Sequence, residues 1–269
     1  MRQIILAINA LLKFKAYTLI NVLGLACSLA CVLTVARYIH QENTVNQCFP
    51  EYKRICLIKT STSSGENFLG GYRSGLEKDP DVEQFTVIYQ ISDMPVLFGE
   101  QEIAANTFSV DSTFFKIFPY RVIAGSGRIV RPRDVVITRS FWKKKLGGKN
   151  AIGATFKNTK GNKFTIIGVV DDPDTKTSWM PDIFMSDELD EFLFFDPIYA
   201  MLMAPDTDIA LLNKKYSKEH PRSKWSTYET VRYQYLPLKD LYYDKDHGKE
   251  NKNYQYGNQS YVRVLMVVA

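Results

Sequence analysis

The sequence predicts an α+β fold: one N-terminal transmembrane helix, then a two-lobed extracytoplasmic domain. In that domain a ferredoxin-like βαβ lobe carries an inserted β-rich lobe. Three observations predict it. The run from Ala16 to Ala36, AYTLINVLGLACSLACVLTVA, holds no charged residue. Two β-α-β textures lie near the two ends of the polar remainder. Between them, from about Pro95 to Ser186, short apolar runs alternate with turn residues and carry little helical periodicity.

The apolar run comes first. At 1.5 Å per residue, about 20 apolar residues cross the roughly 30 Å hydrocarbon core. The run, with its flank to residue 39, is long enough. Arg2, Lys13 and Lys15 precede it, and the first acidic residue is Glu42. That asymmetry places the N-terminus in the cytoplasm and the domain from about His40 onward on the far side of the membrane. A cleaved signal peptide fits less well, because the run is long and no A-x-A-like site follows. A lipoprotein signal at Cys27 or Cys31 fails as well. The residues three before them are Gly24 and Ser28, and apolar sequence continues past Cys31. For residues 1–15, Ile4, Ile8, Leu11 and Leu12 share one helical face. This fits a short amphipathic helix along the inner interface, or a flank that serves only orientation.

The domain follows in order. Arg54–Thr60 reads as a strand, Gly70–Lys78 as a helix stopped by Pro80, and Val82–Gln90 as a second strand. Near the other end, Ile198–Met203 is a strand, and Asp206, Thr207 and Asp208 offer N-cap oxygens to a helix carrying Ile209, Leu212 and Tyr216. Val231–Leu236 returns as a strand. These pieces, 40–94 and 190–258, make the ferredoxin-like lobe. The insert, 95–189, contains a short strand at Asp134–Thr138. Thr138 caps a helix with Phe141, Trp142 and Leu146, ended by Gly147 and Gly148. Lys163–Val170 is a nearly continuous apolar strand, and Ile183–Met185 another. Residues 259–269 end in VLMVVA, too short to span a bilayer. A final strand and the first turns of a second membrane helix are the two readings, and the Tyr261 and Arg263 flank favours the helix.

Composition excludes more than it selects. The 269 residues carry net charge +5, with bases and acids interleaved, so no nucleic-acid stripe exists. Lys143–Lys145 is a solvated helix face. There is no G-x-x-x-x-G-K-[ST], so this chain is not an ATPase of the P-loop type. Gly125-Ser126-Gly127 reads as a turn. His40, His220 and His247 stand far apart. Asp244, Asp246 and Glu250 with Gly248 lack calcium-loop spacing. Asp171, Asp172 and Asp174 around Pro173 read as a loop leaving a strand. No G-x-S-x-G context surrounds any serine. No catalytic, cofactor-binding or metal-binding residue is therefore named, and no cofactor is expected. Cys27 and Cys31 lie in the membrane run. The spacing of Cys48 and Cys56 allows a disulfide without requiring one.

Six stretches, in order, resemble MacB/FtsX-type ABC transporter permeases. Leu19–Leu33, LINVLGLACSLACVL, is similar to the family's "INxLGLxxGLAxxLL" first membrane helix. Val110–Gly127 resembles "D-x-x-FF-x-I-F…L-x-G", and Asp134–Phe156 resembles "VVISE-x-x-AKKLFG…-PIGKT". Lys163–Asp172 is similar to "FTVVGVVKD", Pro181–Ser186 to "FDI-x-x-S", and Tyr233–Asp244 to "LQPLxDIYL". The chain departs at Glu42–Phe49, ENTVNQCF, where the family carries "ELSYDxFH", and near Ser28, where a glycine is usual.

The resemblance implies a permease subunit with a MacB-like periplasmic core domain, ending where a second membrane helix would begin. It implies a separate ATP-binding cassette ATPase, a permease dimer, and a periplasmic adaptor or lipoprotein as partners. The stalk around Arg37–Tyr52 would carry motion between the ATPase and the periplasm, for export or release of a substrate. Two other readings stand beside it: an FtsX-like regulator that activates periplasmic partners without transport, and a membrane-anchored ligand-binding or sensor domain.

Overall fold

In a computed structural model, the described residues are 13, 15–65, 67–71, 79–148, 150–186, 197–216, 220–221, 230–244 and 254–268. The chain divides into two compact units, 1–44 with 258–269, and 45–257.

The first unit holds α1 (Lys15–Asn43) and a C-terminal helix (Gln259–Val268), which pack against each other. Within α1, Leu19, Ile20, Leu25 and Leu33 are exposed, as a helix that meets lipid rather than protein requires. Ser28 and Thr34 donate their hydroxyls to the carbonyls of Gly24 and Ala30, at 2.9 and 2.7 Å, so neither leaves an unsatisfied polar group on that surface. Val264–Val267 is helical and pairs with no strand. The expected helix over residues 1–15 lies outside the described residues, apart from Lys13 and Lys15.

The second unit is built on β1 (Ile55–Thr62), β2 (Asn67–Leu69), β3 (Val82–Phe98), β4 (Gln101–Val110), α2 (Phe114–Ile117), β5 (Val122–Gly125) and β6 (Asp134–Thr138). Then come α3 (Arg139–Lys145), β7 (Thr155–Asn158), β8 (Lys163–Val170), β9 (Ile183–Ser186), β10 (Ile198–Met203), α4 (Ile209–Lys215), β11 (His220–Pro221), β12 (Thr230–Pro237) and α5 (Leu238–Leu241); the C-terminal helix is α6. The twelve strands among the described residues form one sheet, ordered β11-β12-β1-β10-β3-β4-β9-β6-β8-β5, with β2 pairing β1 and β7 pairing β3 and β8 off this path. The sheet does not divide at residue 95, because β3 passes through it. Around Asp93 (φ 50°) the register of β3 on β4 shifts between Ile91 and Met94. The strand expected to end at Gln90 continues through this bulge to Phe98.

One half of the sheet has strand order β12-β1-β10-β3, every neighbour antiparallel. Both of its faces are covered, so the strands alternate between two cores rather than between core and water. Ile55, Leu57, Ile198, Ala200 and Leu202 enter one core; Cys56, Ile58, Tyr199, Met201 and Met203 enter the other, with Leu212 of α4. Asp208 caps α4 by accepting from the N–H groups of Ala210 and Leu211 at 2.9 and 3.1 Å. The other expected helix does not begin at Gly70. Gly70 and Gly71 have φ of +111° and +90°, outside the helical region; residues 72–78 lie outside the described set.

In the other half, β7 pairs with both β3 and β8. This closes a ring of six strands, β3-β4-β9-β6-β8-β7, with parallel pairs β4–β9 and β6–β8. Side chains fill it: Val96, Ile103, Val135, Ile137, Phe156, Phe164, Ile166 and Met185 are buried in one cluster. Thr138 caps α3 by accepting from the N–H of Phe141 at 3.4 Å, and Gly147 and Gly148 follow its end at positive φ.

Candidate force-transfer site

Among the described residues, no group of His, Cys, Asp and Glu is placed to hold a metal ion. His40 is exposed on α1 and His220 is in β11; His247, Asp246, Gly248 and Glu250 lie outside the described residues. Asp244 makes a two-pronged ion pair with Lys59 at 2.9 and 2.8 Å, both side chains largely buried. Lys143–Lys145 are exposed in the last turn of α3.

A connected polar centre lies where the chain enters and leaves the second unit. The inbound stretch begins at Val45, 3% exposed. Asn46 follows, fully buried at φ +65°, a conformation that asparagine tolerates better than most residues. Its N–H donates to the Lys176 carbonyl at 2.9 Å. Its Nδ2 donates to Ser178 Oγ at 2.8 Å and to the Leu238 carbonyl at 2.9 Å. Its Oδ1 accepts from the Ser178 N–H at 2.7 Å. A buried amide satisfied on both ends fixes its partners in one arrangement. Three residues on, Phe49 sits edge-on to Phe118 and Tyr120, with ring centroids 5.0 and 5.8 Å away.

The outbound stretch reaches the same place. Gln255 N–H donates to the Ser178 carbonyl at 2.6 Å, and Tyr254 bridges to Trp179, its ring stacked at 6.4 Å. Trp179 is 2% exposed and meets Phe118 edge-on at 5.3 Å. Ser178, fully buried, is thus held by Asn46 on one side and Gln255 on the other. Lys176 donates to the Tyr242 hydroxyl and lies 4.6 Å over its ring.

The loop that carries Ser178 is tied to the ring of strands as well. It leaves β8 at Asp171, as the aspartate-rich stretch implied. Arg121 and Arg139 both donate to Asp171 Oδ2, and the Arg121 hydrogen bond above all holds that carboxyl below the usual carboxylate range. Asp172 accepts from Ser140 N–H and Oγ at 3.3 and 2.9 Å, at the start of α3. Beyond the loop, Asp182 Oδ2 accepts from Asn106 N–H at 2.9 Å, and burial raises its carboxyl pKa. Cys48 and Cys56 are free thiols, as are Cys27 and Cys31. Burial pushes Cys48 up to about 11 and Cys56 up to about 12.

Sequence reasoning placed motion in the stalk 37–52 but did not single out Asn46, Ser178 or Gln255. An asparagine in a turn is a weak signal for a positive φ. Nothing in the sequence pairs it with a serine 132 positions away.

A family profile described as MacB-like periplasmic core domain matches residues 18–215. The chain belongs to that family. No curated protein matches it. Among solved structures, this MacB-like chain is similar to a domain of a protein assigned as a permease from Porphyromonas gingivalis. That match has 20% identity and a TM-score of 0.55, covering 70% of this chain and 92% of the other. It also matches the periplasmic region of MacB from Actinobacillus actinomycetemcomitans, at 15% identity and TM-score 0.49, covering 64% and 83%. A third match is the extracellular domain of the noncanonic ABC-type transporter YknZ from Gram-positive bacteria, at 12% identity and TM-score 0.41, covering 68% and 99%. α1 is long and apolar enough to cross a membrane, with mean hydropathy 2.3. The MacB-like chain is therefore a membrane-anchored protein with an extracytoplasmic domain. Its family is a permease component of ABC transporters, not a classical enzyme, and such transporters work with ATPase partners.

Proposed function

We propose that this chain is a permease subunit whose extracytoplasmic domain couples ATP-driven motion of a partner ATPase to export or release of a substrate. The observation that carries the reading is the double hold on Ser178. A displacement applied to the chain at residue 44 or at residue 258 reaches one buried residue within a few bonds. That residue sits on a loop braced to the strand ring through Asp171 and Asp172. Such a joint carries motion delivered at either end of the domain into the strand ring rather than letting a loose loop absorb it. The order β12-β1-β10-β3 supports a ferredoxin-like lobe over 40–94 and 190–258, and the six-strand ring supports an inserted lobe over 95–189. In this reading the N-terminus is cytoplasmic, the domain lies in the periplasm of a bacterial inner membrane, residues 259–269 begin a second membrane helix, and two copies work together.

Two experiments test it. The intact chain, purified from its own membranes in mild detergent, should bring down an ATP-binding cassette ATPase in stoichiometric amount; recovery of no ATPase refutes the coupling. An alkaline phosphatase fusion at the exposed Gly161 turn should be active, and activity there only of a cytoplasmic reporter refutes the topology.

A further inference from the structure

On the second unit, a groove of about 560 Å³ opens between the end of β4, α2 and the loop after β5. Its volume falls within the roughly 300–1,000 Å³ typical of small-molecule sites. Val110, Phe115, Ile129 and Val130 give it apolar walls, and Val130 is 74% exposed at the rim. Lys116 and Arg128 line it, both exposed, and neither side chain has a carboxylate partner among the described residues.

The acid in the groove makes no ion pair with either of them. The Asp111 carboxylate is consumed by four hydrogen bonds: from Thr86 Oγ1 at 2.8 Å, Val87 N–H at 3.0 Å, Thr113 N–H at 2.8 Å and Phe114 N–H at 3.1 Å. The wall bearing Arg128 is rigid. Ser126 N–H donates to the Ile167 carbonyl at 2.8 Å, and Ser126 Oγ bonds both the carbonyl and the N–H of Arg128 at 3.1 Å. The chain comes so near β8 that a Cβ on Gly168 would lie 1.7 Å from the Ser126 carbonyl oxygen. The Gly-Ser-Gly turn thus holds the backbone of Arg128 in place beside an apolar cleft.

We propose that this groove binds a monomeric amphiphile with an anionic headgroup. Lys116 and Arg128 hold the head, and Phe115, Ile129 and Val130 line the path of its chain. A guanidinium and an ammonium together favour a carboxylate or phosphate over a neutral or cationic head. A bare anion would leave the apolar walls in water. Binding here needs neither transport nor a partner ATPase, so it stands or falls separately from the permease reading.

The test uses the full chain in phosphatidylcholine nanodiscs and a decanoate carrying a mid-chain diazirine. After irradiation, peptides spanning 110–130 should carry the label in preference to the rest of the domain. Labelling should fall about tenfold in the Lys116→Ala/Arg128→Ala double variant, two modest charge contacts being lost together. The decyltrimethylammonium counterpart should label weakly. Inorganic phosphate should compete far less well than unlabelled decanoate. Label spread without preference, equal labelling by the cationic probe, or an unchanged double variant overturns the proposal. Competition by phosphate as strong as by decanoate also overturns it, in favour of a simple anion site. If the double variant fails to fold, the two headgroups compared on the unaltered chain decide the matter.

Discussion

Asn46→Ala isolates the double hold on Ser178. The substitution removes three side-chain hydrogen bonds, to Ser178 Oγ, Ser178 N–H and the Leu238 carbonyl. At about 1 kcal/mol net for each, the loss is about 3 kcal/mol. The Ser178 N–H is then left buried without its acceptor, which takes the total toward about 4 kcal/mol. Alanine at φ +65° adds roughly 1 kcal/mol that glycine does not. Asn46→Gly should therefore be destabilised by about 3–4 kcal/mol, and Asn46→Ala by about 1 kcal/mol more. Asn46→Asp keeps the acceptor for Ser178 N–H but loses both donors, so it places a buried carboxylate against the Leu238 carbonyl and should be no better than glycine. The assay is urea unfolding of the full chain in dodecyl maltoside, followed by tryptophan fluorescence, since Trp179 adjoins the joint. A cost below about 1 kcal/mol for Asn46→Ala, against the one to three expected from even one orphaned buried donor, would show that the joint bears no load. Equal stability of the alanine and glycine variants would refute the backbone part of the reasoning.

Further outcomes follow from other contacts. Gly168→Ala drives a methyl into the Ser126 carbonyl, backbone against backbone, and should cost about 3 kcal/mol or more, measured as a fall in melting temperature; a melting temperature within error of the unaltered chain would show that the loop yields. Burial raises the Cys48 and Cys56 thiols from their ordinary 9.0 to about 11 and about 12 in the folded chain. The neutral thiols are favoured by the folded state, so their contribution is complete below pH 9.0 and is lost as pH rises toward 11 and 12. Stability should decline in that alkaline range, and less so in a Cys48→Ala/Cys56→Ala variant; an identical decline in both would place the alkaline sensitivity elsewhere. Cys56 should also resist a polar disulfide reagent at neutral pH until urea unfolds the domain, and its rapid reaction in the native protein would contradict its burial.

The sequence by itself determined the local elements whose cause is local. The uncharged run made α1 readable because hydrophobic length is additive along a chain. DVVIT and KFTIIGVV were legible as β6 and β8 to the residue, since continuous β-branched runs favour buried strands. Thr138 was legible as a helix cap, and Asp208 as one of three candidates with Asp206 and Thr207, because a cap acts within three residues. The family resemblance came from the same local patterns in order. What only the tertiary structure decided involves partners distant in sequence. The sequence reading ended β3 at Gln90, and only its register on β4 carries it through Asp93 to Phe98. No local pattern announces that Thr155–Asn158 bridges β3 and β8 and so closes the six-strand ring. Nor does one announce that Asn46 and Gln255 meet at Ser178. Those contacts exist because each buried polar group must find a partner once the fold has removed it from water. Which partner it finds depends on where the sheet brings the chain.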